Sequence, residues 1–230
     1  RDSYAPSIFR TESVVDLVKQ HKAGAQIFPE EVDVVVGGFP CQDFSVAGKR
    51  KGFDSMRSHD GTKRTDDLPT EETRGKLYCW MKEVIEITKP KVFVAENVKG
   101  LVNMGDIKDI IQADFSNADG NAYIVLPPQV LHAGNYGVPE SRERVIFIGV
   151  RKNALKEETA QALEGENIPA DLYPYPRPTH CCTLSDGTLA APVVLQDVLG
   201  KLKEPEDSFD PSQRFYSKAK YMGAHCQGQK

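Results

Sequence analysis

The chain has 230 residues, 40% hydrophobic and 27% charged, and its 29 basic against 33 acidic residues leave a net charge of −4. That size fits one large globular domain, or one domain and part of a second, able to bury a core without disulfides or metal. The slight acidity excludes a histone-like coating protein, though not a nucleic-acid enzyme whose basic residues gather in one groove. Five cysteines without a C-x-x-C pair argue against a secreted disulfide framework or a zinc site. No apolar run approaches the roughly 18 residues that would span a bilayer. The chain opens on Arg1-Asp2-Ser3-Tyr4 and not on Met with a signal-like stretch. The expectation is a reduced, cytoplasmic protein without membrane contact, whose sequence begins inside a domain.

Val14, Val15, Leu17 and Val18, with Ser13 in front as an N-cap, predict a short helix closed between His21 and Gly24. The β-branched run from Val32 to Val36 predicts a buried strand that stops at Gly37-Gly38. Residues 39–73 lack a period and hold several glycines and many charges, which reads as a long loop with a task. Leu77, Trp80, Met81, Val84, Ile85 and Thr88 then fall on one helical face, stopped by Pro90. Val92 to Ala95 predict a second buried strand ending at Glu96-Asn97, and Ile107, Ile110, Ile111 and Phe115 another helix. Tyr123 to Leu126 and Val130 to His132 read as one strand bent at Pro127-Pro128, and Arg144 to Val150 as the last strong strand. Such alternation implies an α/β fold, Rossmann-like, with a mostly parallel sheet, helices on both faces and an antiparallel final strand. After Lys152 the chain turns polar and acidic, and Pro174, Pro176 and Pro178 mark a boundary. We therefore expect one folded unit over residues 1–175 and a linker leading elsewhere over 176–230.

In an open parallel sheet, ligands bind beyond the carboxyl ends of the strands, which puts Cys41 and Glu96 on one edge. The link from 133 to 143 is too short for a parallel crossover, so the last strand returns antiparallel and starts near that edge. Alternation along an extended chain aims Arg142 and Arg144 at the same face. A thiol, a carboxyl group and two guanidiniums should thus converge. Each piece alone has a plainer reading. A lone cysteine is usually a small buried hydrophobe, and Arg-Glu-Arg is usually a solvated strand edge. Cys79, Cys181, Cys182 and Cys226 read as structural or incidental. Between Asp43 and Arg64 six basic residues face three acidic ones, on a loop that begins at the candidate nucleophile. That suits a phosphate-contacting arm.

Taken together, four ordered stretches are far more specific. Pro40-Cys41-Gln42-Asp43-Phe44-Ser45-Val46-Ala47-Gly48 resembles the nucleophile loop of the C5-cytosine DNA methyltransferases. Arg74-Gly75-Lys76-Leu77-Tyr78 resembles the helix start that follows it, and Glu96-Asn97-Val98-Lys99-Gly100-Leu101 the acidic motif. Asn135-Tyr136-Gly137-Val138-Pro139 with Arg142-Glu143-Arg144-Val145 resembles the paired-arginine motif. The likeness runs over residues 30–152.

That resemblance implies methyl transfer from S-adenosylmethionine, without a metal, to carbon 5 of a cytosine flipped out of double-stranded DNA. Cys41 would be the nucleophile, and Glu96 would hold the N3 and amino edge. Arg144 would contact O2 and Arg142 a phosphate or the nucleophile region, two roles that can be exchanged. Pro40 and Leu77 would touch the methyl donor. Gln42, Ser45 and Arg74 would face DNA, with Lys49 and Arg50 on its phosphates.

Asp43 stands where the family usually has Pro, and Glu140-Ser141 replaces Gln-Lys. The family's opening Phe-x-Gly-x-Gly loop and its closing donor motifs are not found, while Asp210 to Lys230 resembles the entry to a target-recognition region. The chain thus reads as an internal fragment of a bacterial or phage-type modification methylase with a restriction endonuclease as partner. By itself it is expected to be catalytically silent. Rival readings are a tRNA cytosine-5 methyltransferase of the same family and an inactive DNA-binding relic. A thiol hydrolase is disfavoured because no histidine lies beside a motif to activate Cys41.

Overall fold

A computed structural model describes residues 10–39, 77–104, 106–183 and 187–200. Its centre is a five-stranded sheet of β1 (Val34–Gly38), β2 (Val92–Val98), β3 (Tyr123–Val125), β4 (Gln129–His132) and β5 (Glu143–Arg151). The order is β1-β2-β5-β3, with β4 continuing along the same side of β5. β1 and β2 pair in parallel, whereas β5 is antiparallel to β2, β3 and β4. Four strands therefore share one direction and β5 alone runs back between them. β3 and β4 act as one strand broken by Pro127-Pro128, since proline has no N–H to offer the ladder.

Period-two alternation sorts the side chains of β2 and β5. Phe93, Ala95, Val145 and Phe147 face one core, shared with Tyr78, Met81 and Ile85 of α2 (Tyr78–Thr88) and Ile111 and Phe115 of α3 (Ile107–Ser116). Ile146 and Ile148 face the opposite side with Ile124, Leu126 and Tyr175, under Leu163 of α4 (Glu157–Glu164). Helices on both faces are as expected. The polar stretch after Ala154 contributes one of them, because a single apolar stripe is enough to cover a sheet.

The first helix, α1 (Val14–Lys22), is capped by Ser13, whose side chain accepts from the Val15 N–H at 3.3 Å. It seats Val15 and Val18 on Leu77 and Trp80, and Lys22 reaches Glu83 of α2 at 2.6 Å. α2 ends where the Thr88 hydroxyl donates back to the Val84 carbonyl at 2.7 Å. Lys89 then turns left-handed at φ 48°, and Pro90 prevents further helix.

Three expectations need correction. β1 is not buried: Val34 is 53% and Val36 73% exposed. Among the described residues it pairs only with β2, and none of them buries the face that carries these two valines. Its glycines also belong to the strand, as Gly37 and Gly38 pair with Ala95 and Glu96. β2 likewise runs on through Glu96 and Asn97 to Val98, so Glu96 and Asn97 lie within the ladder and not after it.

Candidate active site

The carboxyl ends of β1, β2 and β4 and the start of β5 meet at one edge of the sheet. Glu96 pairs with Ile146, and Val98 with Arg144. Because successive residues alternate faces, Glu96 and Arg144 point to the same side. The Arg144 Nε donates to Glu96 Oε1 at 2.6 Å, and Arg142 Nη2 stands 3.6 Å from the same oxygen. The Glu96 side chain is 36% exposed and that of Arg144 26%, so the pair is open to a ligand. The expected convergence of the carboxylate with both arginines is present.

Glycine at position 38 has a steric reason. A Cβ built there would lie 3.2 Å from Glu96 Oε2, so the missing side chain lets the carboxylate lean over β1. Asn97 faces the other way and is almost fully buried. Its Nδ2 donates to the Phe39 carbonyl at 3.2 Å, and its Oδ1 accepts from the Val98 N–H at 2.8 Å. Neighbouring residues of β2 thus serve two tasks. Glu96 presents an acid to the open face, and Asn97 anchors the chain just before Pro40 and Cys41. Phe39 itself is wedged against Tyr78 and Phe115.

Pro40, Cys41, Gln42, Ser45, Lys49, Arg50 and Arg74 lie outside the described residues. Leu77 is described and buried. It lines an apolar groove of about 250 Å³ with Val36, Gly37, Phe39 and Met81, beside the end of β1.

The turn before the arginines, which carries the motif residues Asn135 and Gly137, is held by Thr179, His180 and Thr183, which carry no motif in the sequence. Asn135 accepts on its backbone carbonyl from the N–H groups of Thr179 and His180 at 2.9 and 3.0 Å. Its side chain donates to Thr183 Oγ1 at 2.9 Å and accepts from the Thr183 N–H at 3.0 Å. Gly137 adopts φ +77°, and a Cβ there would meet the His180 ring at 2.6 Å. Residues 179–183 are thereby strapped across the turn. The usable signal was Asn-x-Gly, which marks a turn but not what lies against it.

A parallel-paired acid strand with an antiparallel arginine strand laid across it defines an α/β protein with a carboxylate–guanidinium site at its sheet edge. The chain belongs to the C-5 cytosine-specific DNA methylase family, whose model matches residues 2–229. It is 36% identical over 135 residues to the type II methyltransferase M.Sau96I of Staphylococcus aureus, a match covering 58% of this chain and 26% of that protein. To the type II methyltransferase M.XorII of Xanthomonas oryzae pv. oryzae it is 32% identical over 214 residues, covering 91% of this chain and 39% of the relative. A solved structure of a prophage-encoded E. coli protein, assigned as a DNA modification methyltransferase, aligns with a TM-score of 0.46 at 22% identity. That alignment covers 86% of this chain and 42% of the other. The chain spans between about a quarter and two fifths of the length of these two relatives.

Proposed function

We propose that the protein carrying this chain is a DNA (cytosine-5)-methyltransferase of a restriction–modification system. It would transfer a methyl group from S-adenosylmethionine to carbon 5 of a flipped cytosine through a covalent adduct with Cys41. The observation that carries this reading is the Glu96 carboxylate held by Arg144 and Arg142, one residue from the Asn97 anchor of the segment that leads into Cys41. The family description supports DNA as the substrate, and the type II naming of the two relatives supports a restriction partner.

Carbon 5 of cytosine is too weak a nucleophile to take a methyl group unaided, so the ring must first be activated covalently. In this reading the Cys41 thiolate adds to carbon 6, which becomes saturated; the C5–C6 π electrons shift into a C4–C5 double bond with charge on N3, an enamine whose carbon 5 attacks the methyl group. Glu96 faces the N3 and amino edge and stabilises the charge that builds there, sharing a proton with N3. The guanidiniums neutralise the carboxylate, fix its rotamer and offer N–H groups to O2 or to a phosphate. Bound S-adenosylmethionine supplies the electrophilic methyl group. Loss of the carbon 5 proton and expulsion of the thiolate then restore the aromatic ring and the free cysteine.

The groove lined by Leu77 fits the donor in part. Its walls are apolar and suit the flat adenine portion, but among the described residues it brings no charged side chain to the amino-acid end. Lys49, Arg50 and Arg74 would attract phosphates and make binding salt-sensitive. Residues 176–230 would lead from the catalytic unit into the target-recognition region. The test offers duplex DNA and tRNA in competition to the full-length protein with labelled donor, followed by nucleoside analysis. The proposal requires 5-methylcytosine in the DNA; label confined to tRNA would replace it with the RNA reading.

A further inference from the structure

The turn that launches the two arginines is closed at its base by a histidine that the reaction itself does not use. His132, the last residue of β4, is buried and lies opposite Glu143 in the β4–β5 ladder. Its Nδ1 accepts from the Gly134 N–H at 3.1 Å, two residues ahead. Its Nε2 lies 3.4 Å from the Ser141 hydroxyl, on the far limb of the same turn. An amide N–H can only donate, so Nδ1 must be the bare nitrogen and the neutral ring carries its proton on Nε2. That proton then points to Ser141 Oγ.

The backbone closes the turn in the same place. The Ala133 N–H donates to the Arg142 carbonyl at 2.8 Å, and Val138 N–H returns to the Ala133 carbonyl at 3.3 Å. There is no slack beside the ring. A Cβ on Gly134 would lie 3.1 Å from His132 Cε1 and 2.5 Å from Cys182 Sγ. The imidazole therefore spans the turn from one limb to the other, and Ser141 directly precedes Arg142.

We propose that His132 is a positioning residue for the Arg142–Arg144 pair. Its neutral ring ties Gly134 to Ser141 and so sets where the two guanidiniums emerge over Glu96. The catalytic consequence rests on the methyltransferase reading above; the structural consequence does not. Asn in place of His can still accept the Gly134 N–H through Oδ1 but does not reach Ser141. Ala loses both ties, and Ser141→Ala loses only the far one.

The experiment has two arms. In the 230-residue chain, the Arg144 Nε–H signal is followed by NMR as a reporter of its bond to Glu96. His132→Ala should speed its exchange with water by at least about tenfold, as expected when local opening becomes easier. His132→Asn and Ser141→Ala, which each lose only the far tie, should both fall between His132→Ala and the wild type. In the full-length protein, His132→Ala should lower kcat roughly 10- to 100-fold, the scale of a misplaced catalytic group, with the KM for the donor nearly unchanged. Asn, which keeps the near tie alone, should recover part of that loss. Unchanged Arg144 exchange in folded His132→Ala, or wild-type exchange in His132→Asn, overturns the proposal. If His132→Ala does not fold, Ser141→Ala decides, and wild-type exchange in that variant overturns it. A wild-type full-length protein that transfers no methyl group would count against the enzyme reading alone, because the NMR arm stands without it.

Discussion

Asn97 and Phe39, 58 residues apart in sequence, are joined by a buried hydrogen bond from the Asn97 amide to the Phe39 carbonyl at 3.2 Å. It ties the end of β1 to β2 immediately before the segment that carries Cys41. Asn97→Ala leaves that carbonyl without its donor, at a cost of about 1–3 kcal/mol. Urea denaturation of the chain measures this directly. Asn97→Asp should be at least as damaging, because it sets an acceptor against an acceptor. An alanine variant as stable as the wild type would show that the bond does not anchor β1.

Glu96→Gln keeps the shape of the side chain but removes its charge and its ability to pass a proton. In the full-length protein, turnover should fall by about 10²- to 10⁴-fold, the usual contribution of a general acid or base. DNA affinity should change far less, since the contact strengthens as charge develops on the ring. Single-turnover methylation near the wild-type rate would remove Glu96 from the mechanism.

The centre of the sheet depends on a glycine beneath an aromatic ring. Gly149 pairs with Phe93, and a Cβ at 149 would lie only 2.1 Å from Phe93 Cε1. Gly149→Ala must push Phe93 away from Phe115 and Tyr123, both of which it contacts. Overpacking of this kind costs typically 1–3 kcal/mol. Thermal unfolding that matches the wild type would mean that the ring moves freely.

At the opposite end of the sheet, Asp119 receives Arg151 at 2.5 Å and Lys89 at 3.0 Å. Burial alone would raise its carboxyl pKa, but the hydrogen bonds from Arg151 and Lys89 outweigh it and hold the group below the usual range. A lowered folded pKa means that the ionised form stabilises the fold. That contribution is complete above the unfolded value of about 3.9 and is lost as pH falls through the folded one. Asp119→Asn, which also tolerates the left-handed backbone at φ 49°, should flatten the acid limb of the stability curve. An unchanged slope below about pH 4 would contradict the assignment.

The parts of this architecture legible in the sequence are those set by short-range periodicity. Glu96, Arg142 and Arg144 could be placed together because strand alternation and a ten-residue link leave few alternatives. The α2 stripe and the bend at Pro127-Pro128 were visible for the same reason. The exposure of Val34 and Val36 was not, because a β-branched run looks the same whether one face of the strand is covered or both. The strap was hidden too, since Asn135 and Thr183 are 48 residues apart and neither belongs to a periodic pattern. His132 gave no signal at all, because its role comes from a turn that only the folded chain closes.

The central claim is covalent catalysis by Cys41, and trapping tests it most directly. Duplex DNA with 5-fluorocytosine at the target is incubated with the full-length protein and S-adenosylmethionine, then run under denaturing conditions. Fluorine at carbon 5 cannot depart as a proton does, so the thiolate adduct should persist as a protein–DNA band. That band should be absent from the Cys41→Ala variant. A stable adduct in that variant, or methyl transfer to ordinary cytosine by it, would contradict the account.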